Sequence, residues 1–69
     1  MNEIIEKIKD RLKENKRLEQ LESAKLALED DYATDVSKQM ERQWRNASIS
    51  TYNVAILIVD QVAKEFEKQ

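Results

Sequence analysis

The stretch Ser50–Phe66, STYNVAILIVDQVAKEF, contains six consecutive apolar residues, Val54 to Val59. A membrane span needs about 20 apolar residues, and this run is bounded by Asn53 and Asp60, so we do not expect it to cross a bilayer. A buried strand would need a partner strand, and the chain offers no second candidate. The spacing instead predicts a helix, because apolar residues recur at intervals of three and four: Tyr52, Ala55, Val59, Val62 and Phe66, widened by Ile56 and Ala63.

Three residues of the apolar run do not fit this stripe. At about 100° per residue, Val54, Leu57 and Ile58 lie well away from it, so the first half of the helix is apolar nearly all round. A helix of that kind is buried on more than one side. Because so short a chain has few other helices, we expect the second covering surface to belong to another molecule. The alternative is that the first helix of the chain wraps round and covers it.

The composition limits how this chain can be stabilised. Its 69 residues suffice for a single small domain over residues 1–69. Domains of this size usually need disulfides, a metal or a partner subunit. Cysteine and histidine are both absent, so the residues point to no disulfide, no metal site and no cofactor. We therefore expect a homo-oligomer, with association as the additional source of stability.

The absence of glycine and proline, with 38% charged residues, predicts an all-α fold. We expect a helical bundle with a long first helix over about 2–31 and two shorter helices over about 35–47 and 50–68. Thr34 or Asp35 is suited to cap the second helix. The joints DDYAT and NASIS are placed between the helices because they are the segments richest in turn-forming residues.

The first helix carries two apolar stripes that differ by well over about 100°. Their members are Ile4, Ile5, Ile8 and Leu12, then Leu18, Leu21, Leu28 and Tyr32. The helix either breaks near Asn15 or continues, with its halves facing different surfaces. Continuity is favoured because the segment Lys13–Arg17 contains no glycine or proline. The first stripe would then overhang the shorter helices and contact a twin subunit or a target protein.

The second helix has its own stripe, formed by Val36, Met40, Trp44 and Ala47. This pattern is typical of a core-facing side, so we expect Trp44 to be buried beside Met40 and the third helix.

Charged residues suggest two further contacts. Glu29, Asp30 and Asp31 lie near the end of the first helix, where they would be solvated, hold a divalent cation weakly or contact a basic partner surface. Lys38, Arg42 and Arg45 form a small basic patch. A DNA-binding transcriptional regulator that uses this patch is the alternative interpretation of the chain.

The expected function is that of a protein–protein interaction module. Ser-His and Cys-His catalysis need residues that the chain lacks, so we do not expect an enzyme. We expect a self-associating regulator, inhibitor or adaptor, of a size common among phage and mobile-element proteins. It would lie in the cytoplasm, because the N-terminus has no signal-peptide core, and bind a second copy and a protein target. The predicted interface comprises Ile4, Ile5, Ile8, Leu12, Val54, Leu57 and Ile58.

Overall fold

A computed structural model describes residues 2–68, which form an antiparallel hairpin of two long helices. Helix α1 comprises Asn2–Ala27 and helix α2 comprises Val36–Glu67. No strand occurs within the described range, so the all-α prediction is confirmed, whereas the predicted three helices are wrong. The ion pairs Lys9–Asp60 and Glu19–Arg45 show the antiparallel order, because numbers rise along α1 as they fall along α2. The molecule measures 54 × 15 × 11 Å.

Helix α1 is continuous through Asn15, as the sequence favoured. It ends at Ala27 rather than near Asp31. The reason is visible in the backbone hydrogen bonds, since the Leu28 N–H donates to both Ala24 O and Lys25 O at 3.2 Å. The Glu29 N–H then donates to Leu26 O, only three residues back, so the last turn tightens and the helix stops before the acidic residues.

The turn over residues 28–35 reverses the chain without glycine. No residue in the described range has a positive φ, so the turn requires no residue with glycine's conformational freedom. The Gln39 Nε2 donates to Tyr32 O at 2.9 Å and to Ala33 O at 3.1 Å, which ties the turn to the first turns of α2. Asp35 is the N-cap of α2, and its side chain accepts from the Lys38 N–H. The prediction of a cap at Thr34 or Asp35 is thus confirmed at Asp35.

Helix α2 passes without interruption through the predicted joint NASIS. The Ser50 hydroxyl donates to Asn46 O at 3.3 Å, and the Thr51 hydroxyl donates to Ala47 O at 3.1 Å. Each hydroxyl therefore bonds the carbonyl four residues back in the same helix instead of capping a new one. This is the physical reason that the predicted boundary between residues 47 and 50 is wrong.

The two helices meet along a seam with a seven-residue repeat. Only Ile5, Ser23 and Leu26 are buried among the described residues, at 9%, 5% and 9% exposure, and the rest of the seam is half-buried. The core is therefore narrow for a domain of this length. The seam comprises Ile5, Lys9, Leu12, Lys16, Glu19, Ser23 and Leu26 of α1, with Lys38, Arg42, Arg45, Ile49, Tyr52, Ile56, Val59 and Ala63 of α2.

The half of the seam near the turn is held by polar side chains. The Ser23 hydroxyl donates to Asn46 Oδ1 at 2.7 Å, and the Arg42 Nε donates to the Ser23 oxygen at 3.2 Å. Arg45 donates to both carboxylate oxygens of Glu19 at 3.3 Å. The other half contains apolar side chains, such as those of Ile5 and Val59. Polar contacts therefore predominate near the turn, whereas apolar packing, joined by the Lys9–Asp60 ion pair, predominates near the open end.

We expect Ser23→Ala to lower the free energy of unfolding by about 1–2 kcal/mol, because it leaves the Arg42 Nε and the Asn46 carbonyl without their partner. Chemical denaturation at one fixed protein concentration would measure this loss. Ser37→Ala, an exposed serine of α2, is the matched control and should change stability little. Equal unfolding midpoints for the two variants would contradict the role given to Ser23.

Candidate protein-binding surface

The side of α2 opposite the seam carries a second stripe, which we call the outer face. Its members recur at alternating intervals of four and three residues, which places them on one side of the helix. All of them are exposed, and Trp44 is the most exposed of the large ones at 78%. The outer face comprises Met40, Trp44, Ala47, Thr51, Val54 and Ile58. Helix α2 thus has two nearly opposite sides suited to helix packing, and α1 covers one of them.

The expectation that Trp44 is buried in the core beside Met40 is wrong, since both side chains are exposed. The spacing of Val36, Met40, Trp44 and Ala47 correctly indicated a common helix side, but that side faces away from α1. At the same level of the hairpin, the seam is occupied by Arg42 and Arg45. Charged residues contact α1 here because Ser23 and Glu19 supply their hydrogen-bond partners.

Sequence reasoning missed that the stripe around Trp44 continues through Thr51 to Ile58. A signal was present, because the alternating spacing runs unbroken from Met40 to Ile58. The expected break at NASIS concealed it by assigning Trp44 and Val54 to different helices. With α2 continuous, the two groups belong to one surface.

The three residues of the apolar run that did not fit the stripe lie outside the seam, as predicted. Val54, Leu57 and Ile58 are all exposed, with Leu57 at 61%. The alternative that the first helix wraps round and covers them is therefore wrong. The predicted inner stripe is right for Tyr52 and Val59, which are half-buried in the seam, whereas its last members Val62 and Phe66 are exposed.

The predicted interface residues of α1 divide between two surfaces. Ile5 is buried and Leu12 half-buried in the seam, so both are occupied by contact with α2. Ile4 and Ile8 are exposed. Further along α1 and into the turn, Leu18, Leu21 and Leu28 are also exposed. Helix α1 therefore presents apolar residues outward as well, but without the unbroken alternating spacing of the outer face of α2.

Four of the six residues of the outer face, from Ala47 to Ile58, lie in a segment without charge. The stretch Asn46–Val59 contains no charged residue, although 38% of the whole chain is charged. Of the nearest charged residues, Glu41 accepts from Arg45 at 3.1 Å, and Asp60 pairs with Lys9 at 2.8 Å. A hydrogen bond from Lys9 lowers the pKa of Asp60, and the same bond raises the pKa of Lys9. A partner that covers this segment would therefore not have to desolvate any charged group within it.

The acidic residues near the turn are engaged within the chain. Lys38 pairs with both Glu29 and Asp31. The hydrogen bond from Lys38 lowers the pKa of Asp31, and the two carboxylates, Asp31 first, raise the pKa of Lys38. Asp30 is exposed beside them. The structure thus gives Glu29 and Asp31 a role in holding the turn against α2.

The arginines of the predicted basic patch face α1. Arg42 lies with its guanidinium carbon 5.6 Å from the centre of the Tyr32 ring, and its Nη1 donates to the Tyr32 hydroxyl at 3.4 Å. The pKa of Arg45 is raised by its hydrogen bond to Glu41 and by Glu19. Like Lys38, both arginines are half-buried. Lys38, Arg42 and Arg45 therefore do not form an exposed basic surface.

The described part of the chain also bears on two other kinds of site, a metal site and a membrane span. Residues 2–68 contain no cluster of three or more His, Cys, Asp or Glu side chains that could hold a metal ion. Neither α1 nor α2 combines the length and the apolar character that crossing a membrane requires.

Comparison with known proteins yields no match to a protein-family model, to a curated protein or to a solved structure.

The Lys9–Asp60 pair predicts how stability depends on pH. Its hydrogen bond holds the pKa of Asp60 below the ordinary 3.8, so the unfolded chain binds more protons than the folded one near that pH. Stability should therefore fall as the pH drops through the folded pKa of Asp60. Asp60→Asn should melt lower than the wild type near neutral pH and lose less on acidification. Melting temperatures between about pH 6 and pH 2 would test this.

Asp30→Asn is the matched control, because Asp30 is an exposed carboxylate in the turn. It should retain the acid dependence of the wild type. If Asp60→Asn and Asp30→Asn gave the same acid profile, the contribution assigned to the Lys9–Asp60 pair would be refuted.

Proposed function

We propose that this chain is a non-enzymatic protein-binding module that self-associates through helix packing and acts as a small regulator, inhibitor or adaptor. The observation that carries the proposal is the outer face of α2, an apolar stripe at coiled-coil spacing that α1 leaves exposed. A side chain such as Trp44 is typical of the residues that dominate binding energy at protein interfaces.

The total surface supports association. The hairpin exposes 5547 Å². A compact monomer of 8.2 kDa would expose about 4,500 Å², so the excess is about 1,000 Å². A stable protein–protein interface buries about 800 Å² on each partner. The exposed excess is therefore of the size that one interface of ordinary dimensions would cover.

The shape supports the same conclusion. The radius of gyration is 16.0 Å, whereas a compact domain of this length would have about 11 Å. An elongated hairpin with few buried side chains gains little from apolar burial within its own chain. Packing against another molecule would supply burial that the seam lacks.

The exposed apolar residues of α1 support a second contact, with a target protein. Ile4, Ile8 and Leu18 are exposed on the helix that would remain outside an interface made by α2. An adaptor or inhibitor needs such a surface in addition to the one that joins its copies. The lack of cysteine suits the cytoplasm, where disulfides rarely contribute to stability.

A DNA-binding role receives no support from the geometry. Lys38, Arg42 and Arg45 lie in or beside the seam, with carboxylate, hydroxyl or aromatic partners from the same chain. Phosphate contacts would require these residues to leave those partners.

A pair of neighbouring substitutions tests the proposal. Val54→Glu places a carboxylate on the outer face, where an interface would have to desolvate it at a cost of several kcal/mol. It should reduce the sedimentation mass to that of a monomer. Asn53→Glu, one residue earlier and exposed on another side of α2, adds the same charge and should leave the assembly intact. A wild-type mass near 8.2 kDa throughout the micromolar range would refute self-association itself.

The fluorescence of Trp44 provides an independent readout, because it is the only tryptophan in the chain. Its indole is largely exposed in a single hairpin. If copies associate through the outer face, the emission should move to shorter wavelength as the protein concentration rises, because burial removes water from the ring. The shift should follow the same concentration dependence as the sedimentation mass. Emission typical of exposed tryptophan in samples that sediment as oligomers would place the interface elsewhere.

A further inference from the structure

We infer that the outer face of α2 is covered by α2 of a second copy of the chain, in antiparallel orientation, with the twofold axis at the level of Ile49. This inference rests on the proposed self-association and adds the occupant, the orientation and the register. In the resulting dimer the two α2 helices lie in the middle and each α1 lies on the outside, because the seam and the outer face are on nearly opposite sides of α2.

The register follows from the symmetry of the outer face. In an antiparallel pair centred on Ile49, a residue that precedes Ile49 in one copy lies level with a residue that follows Ile49 in the other copy. The two residues are the same number of positions away from Ile49. Met40 then faces Ile58 of the partner copy, and Trp44 faces Val54. Ala47 faces Thr51 across the centre, so large apolar side chains meet apolar side chains and small ones meet small ones. Beyond the face, the polar Ser37 falls opposite the polar Gln61.

Neighbouring antiparallel registers fit less well. A shift of seven residues in one direction would place Trp44 opposite Gln61 and Met40 opposite Glu65, which sets apolar side chains against polar and charged ones. A shift of seven in the other direction would place Val54 opposite Ser37 and Ile58 opposite Ala33, which lies in the turn before α2. The register centred on Ile49 alone brings all four large apolar residues of the face together.

A parallel pair also fits less well. Trp44 would face Trp44 of the partner copy, and the next layer would join Ala47 to Ala47. The widest pair of side chains would then adjoin the narrowest, whereas the distance between two packed helix axes stays within about 8–10 Å. In the antiparallel pair, the large Trp44 instead meets the medium-sized Val54 on both sides of the centre. Neighbouring pairs of side chains therefore differ less in width.

The charge distribution and the size of the face agree with a second copy as the occupant. The uncharged stretch Asn46–Val59 extends past Ile58 on one side of the centre, and Glu41 on the other side is already paired with Arg45. A twofold partner therefore brings no unpaired charge against the face. The face is about 27 Å long from Met40 to Ile58. With the exposed excess of about 1,000 Å² per chain, this matches what a dimer of ordinary size buries.

Cysteine cross-linking tests the register, because the natural chain contains no cysteine. Ala47→Cys and Thr51→Cys are made as separate proteins, each a small-for-small change. In the inferred dimer, positions 47 and 51 of different copies lie at the same level, close enough for a disulfide, which joins Cα atoms about 4.4–6.8 Å apart. By contrast, position 47 of one copy and position 47 of the other are offset along the helix axes by about 6 Å, and the same holds for position 51. We therefore expect a mixture of the two variants to cross-link under mild oxidation at least tenfold faster than either variant alone.

Each outcome has a definite meaning. Rapid cross-linking of each variant with itself would establish a parallel pair and overturn the orientation. Slow cross-linking in every sample, with a dimer mass by sedimentation, would overturn the use of the outer face while leaving self-association in place. A monomer mass for the unmodified protein would overturn the proposed function as well. A mixture of Asn53→Cys with Ala47→Cys is the control, because Asn53 lies off the outer face, and it should cross-link slowly.

Discussion

The structure depends on one constraint, namely that α2 is suited to packing on two nearly opposite sides and α1 can cover only one of them. The seam takes Ile49, Tyr52, Ile56 and Val59, and the outer face keeps Met40, Trp44, Val54 and Ile58 in water. Because the hairpin contributes one partner helix, no rearrangement of the two helices could cover both sides. Exposure of apolar surface is therefore a property of the architecture itself, and the proposals on association follow from it.

The polar half of the seam explains which side α1 covers. Near the turn, Ser23, Asn46 and Arg42 form a connected hydrogen-bond network, and Glu19 pairs with Arg45. Half-buried polar groups cost free energy unless their partners are in place, so these hydrogen bonds favour the register in which Ser23 lies opposite Asn46 and Glu19 lies opposite Arg45. It also directs the apolar Met40 and Trp44 to the other side of α2. The hydrogen bonds that orient the hairpin therefore help to decide which of the two sides of α2 stays exposed.

Ion pairs and hydrogen bonds in the turn also help to orient the two helices relative to each other. Lys38 binds Glu29 and Asp31, Gln39 binds two backbone carbonyls, and Asp35 caps α2. These contacts hold a turn in which no residue adopts the positive φ of the glycine that ends many helices. All of these contacts join the turn to the first residues of α2. The chain therefore reverses direction at one defined place, and Ser23 comes to lie opposite Asn46.

The sequence by itself determined the helical class, favoured the continuity of α1 and restricted the cap to Thr34 or Asp35, because these depend on local propensity and on the absence of glycine and proline. It also determined that Val54, Leu57 and Ile58 point away from the intramolecular stripe, since that follows from helical periodicity alone. The tertiary structure decided that NASIS is helical, because Ser50 and Thr51 hydroxyls can either cap a helix or bond within one, and the sequence is compatible with both. It likewise decided that Trp44 is exposed. An apolar stripe indicates a side suited to packing, but whether α1 covers it depends on the hydrogen bonds that Ser23 and Glu19 make with a distant part of the chain.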